Sequence, residues 1–303
     1  MMRKNKVTTF EDALQHVKDG CRVAIGGFQL ASRPMTLLRM VMKNHISGLT
    51  VVSPPSGLDV DMLIAAGVVK RIITSYVGGE TIAGIGPVFR RAVENNEIDV
   101  REYDTGMLIA ALRAESEGLP FAPWRGGLGT SIQQVNPDLK TFTDPITGSR
   151  LLAVPALSAD VALIHASLAD EYGNIQHLSH PLLDRLIASA SKKVIVEVEK
   201  IVSNEYIRAH YWRTSIPNYM VEAVVVTPYG AHPTSSPGFY TTDIEHLAHE
   251  YVPAANAWLK GDQEPLKRYL SKYVYGPKDH WEYLQLIGFE KLFSLDSIYH
   301  DSV

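Results

Sequence analysis

Short runs rich in β-branched and apolar residues recur along the chain at residues 22–25, 49–53, 71–76, 99–103, 159–165, 193–198 and 221–227. Runs of this length, bounded by Gly, Pro, Asn or Ser, read as buried strands. The stretches 34–43, 86–96, 105–117 and 181–189 between them carry apolar residues at helical spacing. Pro34 stands where a first helical residue can lack its N–H. Repeated strand, helix, strand restricts the chain to an α/β architecture, an open, mostly parallel, doubly wound sheet with helices on both faces. Ligands of such sheets collect at the carboxyl ends of the strands, so functional residues are expected in the strand-to-helix loops. Residues 119–152 lose the pattern and read as a long loop or small hairpin beside the site. After Tyr240 three helical stretches follow, 244–259, 264–273 and 280–286, with no strand signal. The expected organisation is one α/β domain over residues 1–240 with a C-terminal helical extension, 241–303, packed on it. No repeat of fixed period is present.

Charge removes one class of partner. With 29 Lys and Arg against 33 Asp and Glu, the net charge of −4 offers no cationic surplus for a phosphate backbone, so no nucleic-acid partner is expected. The single cysteine, Cys21, cannot form an intrachain disulfide or build a thiolate metal cage, which favours a reducing, cytoplasmic location. The longest apolar run, near residues 62–69, falls far short of the roughly 20 residues that a bilayer crossing requires, so no membrane association is expected. The basic N-terminus is followed by Glu11-Asp12 and an apolar stretch broken at Gly26-Gly27, unlike a signal peptide.

Common cofactor signatures are missing: there is no GxGxxG, GxxxxGK or GxSxG. His177 with His180, and His246 with His249, stand three apart, but neither pair makes an HExxH. Histidines on solvated helix surfaces are the plainer reading, and no metal site is expected. Cys21, beside a strand, reads as a small packed residue rather than a nucleophile. Three segments remain. Residues 19–34 combine a turn, a strand, Gly26-Gly27 and a Pro-initiated helix, so backbone could approach a bound group closely and helix N–H groups could face an anion; a plain tight turn fits as well. Gly126, Gly127 and Gly129, followed by Thr130-Ser131, could form a nest of donors or a surface loop. Residues 170–174 read as a turn.

Taken in order, these segments resemble the A (alpha) chains of the family I CoA-transferases, most closely the glutaconate CoA-transferase branch. The resemblance rests on Asp19-Gly20, Val23-Ala24-Ile25, Gly26-Gly27-Phe28 and Pro34. It continues through Gly118-Leu119-Pro120-Phe121, Gly127-Leu128-Gly129-Thr130, residues 159–166, Asp170-Glu171-Tyr172-Gly173-Asn174, residues 196–202 and residues 228–233, covering roughly 8–240. Ser32-Arg33-Pro34, with a basic residue next to the proline, is similar to the glutaconate branch.

The resemblance implies a two-subunit enzyme, a hetero-oligomer, that moves CoA between carboxylic acids, with the CoA thioester as substrate and no permanently bound cofactor. In that chemistry a Glu carboxylate attacks the thioester to give an acyl anhydride, and the CoA thiolate returns to form a glutamyl thioester. The incoming acid then reverses the sequence. The Glu belongs to the B (beta) subunit, in a Ser-Glu-Asn-Gly-like segment. Here Val93-Glu94-Asn95-Asn96 comes nearest, at the end of a predicted helix, so no catalytic residue is expected in this chain. Gly26, Gly27 and Phe28 would shape the pocket wall, and Ser32 and Arg33 would meet the free carboxylate of a dicarboxylic acyl group; a surface ion pair is the alternative for Arg33. Ser56 after a strand, with Gly127, Gly129 and Thr130, would add donors. Related hydrolases and decarboxylases keep other reactions open. In the ring-opening hydrolases a Glu of the alpha chain serves as base in a segment similar to Asp104-Thr105-Gly106, and Thr105 cannot take that part. A ligand-sensing module or a non-catalytic scaffold is the alternative of another class.

Overall fold

A computed structural model describes residues 4–296; the last seven residues of the 241–303 extension lie outside the described part. The predicted strands form, and others join them. In chain order they are β1 (Arg22–Ile25), β2 (Leu49–Ser53), β3 (Val69–Thr74), β4 (Asp99–Glu102), β5 (Phe121–Trp124), β6 (Lys140–Thr143), β7 (Arg150–Pro155), β8 (Ala159–Ala169), β9 (Ile175–Gln176), β10 (Ser191–Ile201), β11 (Thr214–Ile216) and β12 (Ala223–Val226). The main sheet runs β4-β3-β2-β1-β8-β10-β12, with every neighbour parallel. This is the expected doubly wound α/β sheet.

Alternation along the strands sorts side chains to two faces. Val23, Ile25, Val51, Ile72 and Leu163 enter one core; Ala24, Val52, Ile73, Ala162 and Ile164 enter the other. Helices Met35–Lys43, Leu58–Ala65 and Pro87–Glu94 bury Leu37, Leu38, Leu63 and Val88 in the first core, and helix Thr105–Ser116 buries Met107, Leu108 and Leu112 in the second. The C-terminal helices add Leu247, Tyr251, Leu266 and Tyr269 to the first core, and the Tyr251 hydroxyl donates to the buried Asp61 carboxylate at 2.6 Å. The stretch 244–259 is one helical run with a π-helical turn at Leu247–Tyr251.

Two expectations need revision. Residues 119–152 are neither a long loop nor one hairpin: β5, β7 and β6 form a three-stranded antiparallel sheet, with Leu152 and Val154 in the second core. Its other strands are largely exposed, which is why hydrophobic patterning misses them. β8 and β10 extend beyond the predicted ends to eleven residues each. Their outer halves include His165, Glu197, Glu199 and Lys200, which interrupt the apolar pattern without ending the strand. Finally, β8 outruns β1. Their pairing runs from Val23 and Val161 and stops at Ile25 and Leu163, and at Leu168 and Ala169 the antiparallel β9 takes the place beside β8 that β1 has left.

Candidate active site

The chain winds from β1 toward β4 on one side and from β8 toward β12 on the other, so the switch point lies between β1 and β8, where such sheets open a crevice at their carboxyl ends. The glycine turn after β1 occupies that point. Its backbone donors are already committed: the Gly26 N–H donates to the Leu163 carbonyl at 2.8 Å, Gly27 to the Asp184 carboxylate at 2.6 Å and Phe28 to the Ala31 carbonyl at 2.9 Å. Gly27 has φ +78, and Gln29 and Ser32 hold φ +50 and +54 without being glycine. Such left-handed residues concentrate at functional sites. The turn therefore offers no free anion nest, and the Phe28 ring beyond it is 36% exposed.

The helix that follows does face an anion, but the anion is internal. The Glu197 carboxylate, fully buried on β10, accepts from the Leu37 N–H at 2.8 Å in the first turn of Met35–Lys43, where the helix dipole favours negative charge. His165 on β8 lies between Glu197 and Glu199, its Nδ1 3.3 Å from one carboxylate and its Nε2 3.1 Å from the other and 3.0 Å from Ser236 Oγ. Glu199 also accepts from the Tyr240 hydroxyl and the Tyr229 N–H, both at 2.7 Å. Burial opposes charge on His165, but its hydrogen bonds to Glu197 and Glu199 and their negative charge outweigh it and lift the imidazole to about 9. Burial likewise pushes the Glu197 carboxyl upward, against the pull of His165.

This network makes stability depend on pH. A histidine near 6.5 when unfolded and about 9 when folded contributes fully below pH ~6.5, and the contribution, up to about 3 kcal/mol, is lost as pH rises through about 9. The melting temperature is expected to fall between pH 7 and 9.5, and the slope to flatten in His165→Asn; an equal slope in both proteins refutes the assignment.

Arg33 is fully buried, not a surface cation. Its Nη2 donates to Ser53 Oγ at 2.7 Å and to Asp59 at 2.5 Å, while Nε, Nη1 and Asp59 Oδ1 have no partner among the described residues. Ser32 is buried, and its N–H donates to the Ser235 carbonyl at 2.7 Å. Ser56 is also buried, its hydroxyl bonded to the Ser53 carbonyl at 2.8 Å and to Thr74 Oγ1 at 2.9 Å. Gly57 lies directly against the Gln29 carbonyl, so the loops after β1 and β2 form one block. Gly127, Gly129 and Thr130 lie farther along the carboxyl edge, where Gly127 packs near Met107 and Ile132 and the Thr130 hydroxyl donates to the Gly127 carbonyl at 2.8 Å. Between the two groups, Ser75 and Thr105 share a hydrogen bond at 2.9 Å.

Two of the four histidines singled out by spacing are not on solvated surfaces. His246 is buried against Tyr269 and Tyr273, its Nε2 2.9 Å from the Tyr269 hydroxyl, and burial lowers its pKa to about 3. His177 is buried beside Asp184. Among the described residues no group of three or more His, Cys, Asp or Glu is placed to hold a metal ion, and no helix is long and apolar enough to cross a membrane. Sequence reasoning passed over Glu197, Glu199 and Asp184. Alternating carboxylates inside a strand read as buried were the available signal for the first two; Asp184 gave none.

Comparison with known proteins fixes the family. The model described as Coenzyme A transferase matches residues 7–227. This chain belongs to the coenzyme A transferase family. Within the family it is 30% identical to the alpha chain (A) of glutaconate CoA-transferase from Acidaminococcus fermentans, over 96% of this chain and 94% of that one. It superposes on the crystal structure of that organism's glutaconate coenzyme A-transferase with a TM-score of 0.91, covering 97% of this chain and 96% of the other. It is 33% identical to the cholesterol ring-cleaving hydrolase IpdA subunit of Mycobacterium tuberculosis, over 88% of this chain and 94% of that one. An Archaeoglobus fulgidus protein described as uncharacterized is 38% identical over 95% of this chain but only 63% of its own length, so this family member spans less than two thirds of that relative.

Proposed function

We propose that this chain is the alpha half of a two-subunit CoA-transferase that moves CoA between carboxylic acids, one of them dicarboxylic or otherwise carboxylated. The nucleophilic Glu is supplied by a beta subunit in a cytoplasmic hetero-oligomer. The observation that carries this reading is the state of the chain's own carboxylates at the crevice. Glu197, Glu199, Asp59 and Asp184 are all buried and tied to internal donors. Glu94, the nearest sequence match to the nucleophile segment, is exposed at the end of its helix and pairs with Arg90 at 2.9 Å. The four buried carboxylates are thus committed to internal donors, and a partner that brings its own carboxylate completes the crevice. Gly26, Gly27 and Phe28 form the wall; the block holding Ser32, Arg33 and Ser56 backs it, with Gly127, Gly129 and Thr130 at the outer edge. The CoA thioester is a substrate, and no resident cofactor is required. The described part of the extension, residues 241–296, belongs to the same unit as the α/β domain, whose first core its helices share.

Hydrolysis is the second reading, since a ring-cleaving hydrolase is among the relatives. Thr105 disfavours it: its hydroxyl, bonded to Ser75, cannot act as a general base near neutral pH. The test is reconstitution. The chain alone is expected to be inactive, and coexpression with its beta partner to yield transfer from acetyl-CoA to a dicarboxylic acid. Free CoA released without an acyl acceptor would place the complex among the hydrolases instead.

A further inference from the structure

We propose that Asp184 and His177 are positioning residues that set the geometry of the glycine turn; the catalytic part of this inference rests on the CoA-transferase reading above. The need for such a pair follows from the sheet. β1 ends where β8 continues, and the Gly26 N–H makes the last bond between them, to Leu163. The next amide, Gly27, lies beyond the last residue of β1, and its acceptor is a side chain instead of a strand carbonyl. A buried N–H without an acceptor is costly, and here a carboxylate meets it. Asp184 Oδ1 accepts at 2.6 Å, from the first turn of the helix Asp184–Ser189 on the other side of β8 in sequence.

The carboxylate is held from behind. Its Oδ2 lies 3.0 Å from His177 Nε2, and His177 Nδ1 lies 2.7 Å from the Ser215 hydroxyl, at the antiparallel edge formed by β9 and β11. A carboxylate only accepts, so His177 Nε2 carries the proton of that bond. Both side chains are buried, at 0% and 3% exposure, so neither hydrogen bond competes with solvent. The fit leaves no slack: a Cβ on Gly26 would stand 2.6 Å from Asp184 Oδ1. Asp184 spends neither oxygen on the N–H groups of its own helix, which has no side-chain cap. Its position is explained by the turn and the histidine.

The consequence is mechanical. Rotation of the Gly27 peptide would carry Phe28 with it, and a wall displaced by an ångström can cost on the order of a hundredfold in rate when it aligns reacting groups. His177, singled out by its spacing to His180, thus acts on the turn through Asp184.

Asp184→Ala and His177→Ala in the reconstituted alpha–beta complex, with His177→Gln as the conservative variant, test this. Hydrogen exchange of the Gly27 amide is read in the same proteins. Expected are faster Gly27 exchange and a ten- to hundredfold lower kcat in Asp184→Ala, with KM for the acyl-CoA changed less than threefold. His177→Ala is expected to show a smaller loss, and His177→Gln, which can still donate to Asp184, to recover most of it. His177→Ala also serves if Asp184→Ala does not fold. An active wild-type complex whose kcat is unmoved by the variants, though Gly27 exchanges faster, overturns the positioning role and leaves the functional reading standing. A wild-type complex with no transfer activity overturns both.

Discussion

Arg33→Ala is expected to lower the stability of the chain by about 3–5 kcal/mol, because it strands the Asp59 carboxylate in a place water does not reach. The same change in an exposed ion pair would cost at most about 1 kcal/mol. Thermal or denaturant unfolding of the purified chain measures this directly, and a loss under about 1 kcal/mol, the range of an exposed pair, would show that the pair does not persist in solution. Removing both charges separates structure from recognition. Arg33→Met with Asp59→Leu replaces the pair by apolar groups of similar volume, which is often neutral or stabilising. If Arg33 also recognises the second carboxylate of the substrate, the double variant will be stable yet impaired toward dicarboxylic acyl groups and unimpaired toward monocarboxylic ones. Equal activity toward both confines Arg33 to the fold.

Gly27→Ala is expected to be as damaging for a different reason. A Cβ there would fall 2.6 Å from the Ala31 carbonyl oxygen and closer still to that of Ser32, and both obstacles are backbone. The residue also sits at φ +78, a conformation that costs an L-residue roughly 1–2 kcal/mol before any clash. The total is expected to exceed about 3 kcal/mol. Gly129→Ala is the control: φ is +78 there too, but nothing lies within 4 Å of the new Cβ, so only the conformational cost of roughly 1–2 kcal/mol applies. Comparable melting temperatures for the two variants would mean that the turn after β1 opens easily.

The strands that fixed the fold class were legible because each has a core on both faces, with Val23, Val51, Ile72 and Leu163 in one and Val52, Ile73, Ile164 and Val196 in the other, and tolerates little but apolar residues. The outer half of β8 was not, since His165 looks like a boundary to any reading based on hydrophobicity; only its pairing with Glu197 and Glu199 makes a histidine acceptable inside a strand. The candidate site was legible only in part. Gly26, Gly27 and Arg33 stand in one short segment, and the glycines carry the marks of a close backbone approach. Their partners Asp184, Asp59 and Glu197 lie far along the chain, and nothing local distinguishes a buried carboxylate from a solvated one. Arg33 illustrates the limit: residue type suggested carboxylate binding, and the carboxylate it holds is Asp59.

The adjacency of β1 and β8 also governs the order of assembly during synthesis. Val23 lies beside Val161, so β1 leaves the ribosome long before the strand that covers its second edge exists. Until then the nascent chain can build β1 through β4 from local crossovers, but it carries an unpaired edge of backbone donors and acceptors, the type of surface that recruits foreign strands. Once β8 arrives it pairs with β1, and β9 and β10 then add to β8 as they are made, joining the two halves of the sheet. Chains interrupted before residue 169 should therefore aggregate rather than accumulate as a stable half-domain, and the glycine turn should acquire its shape late, when Asp184 has been made.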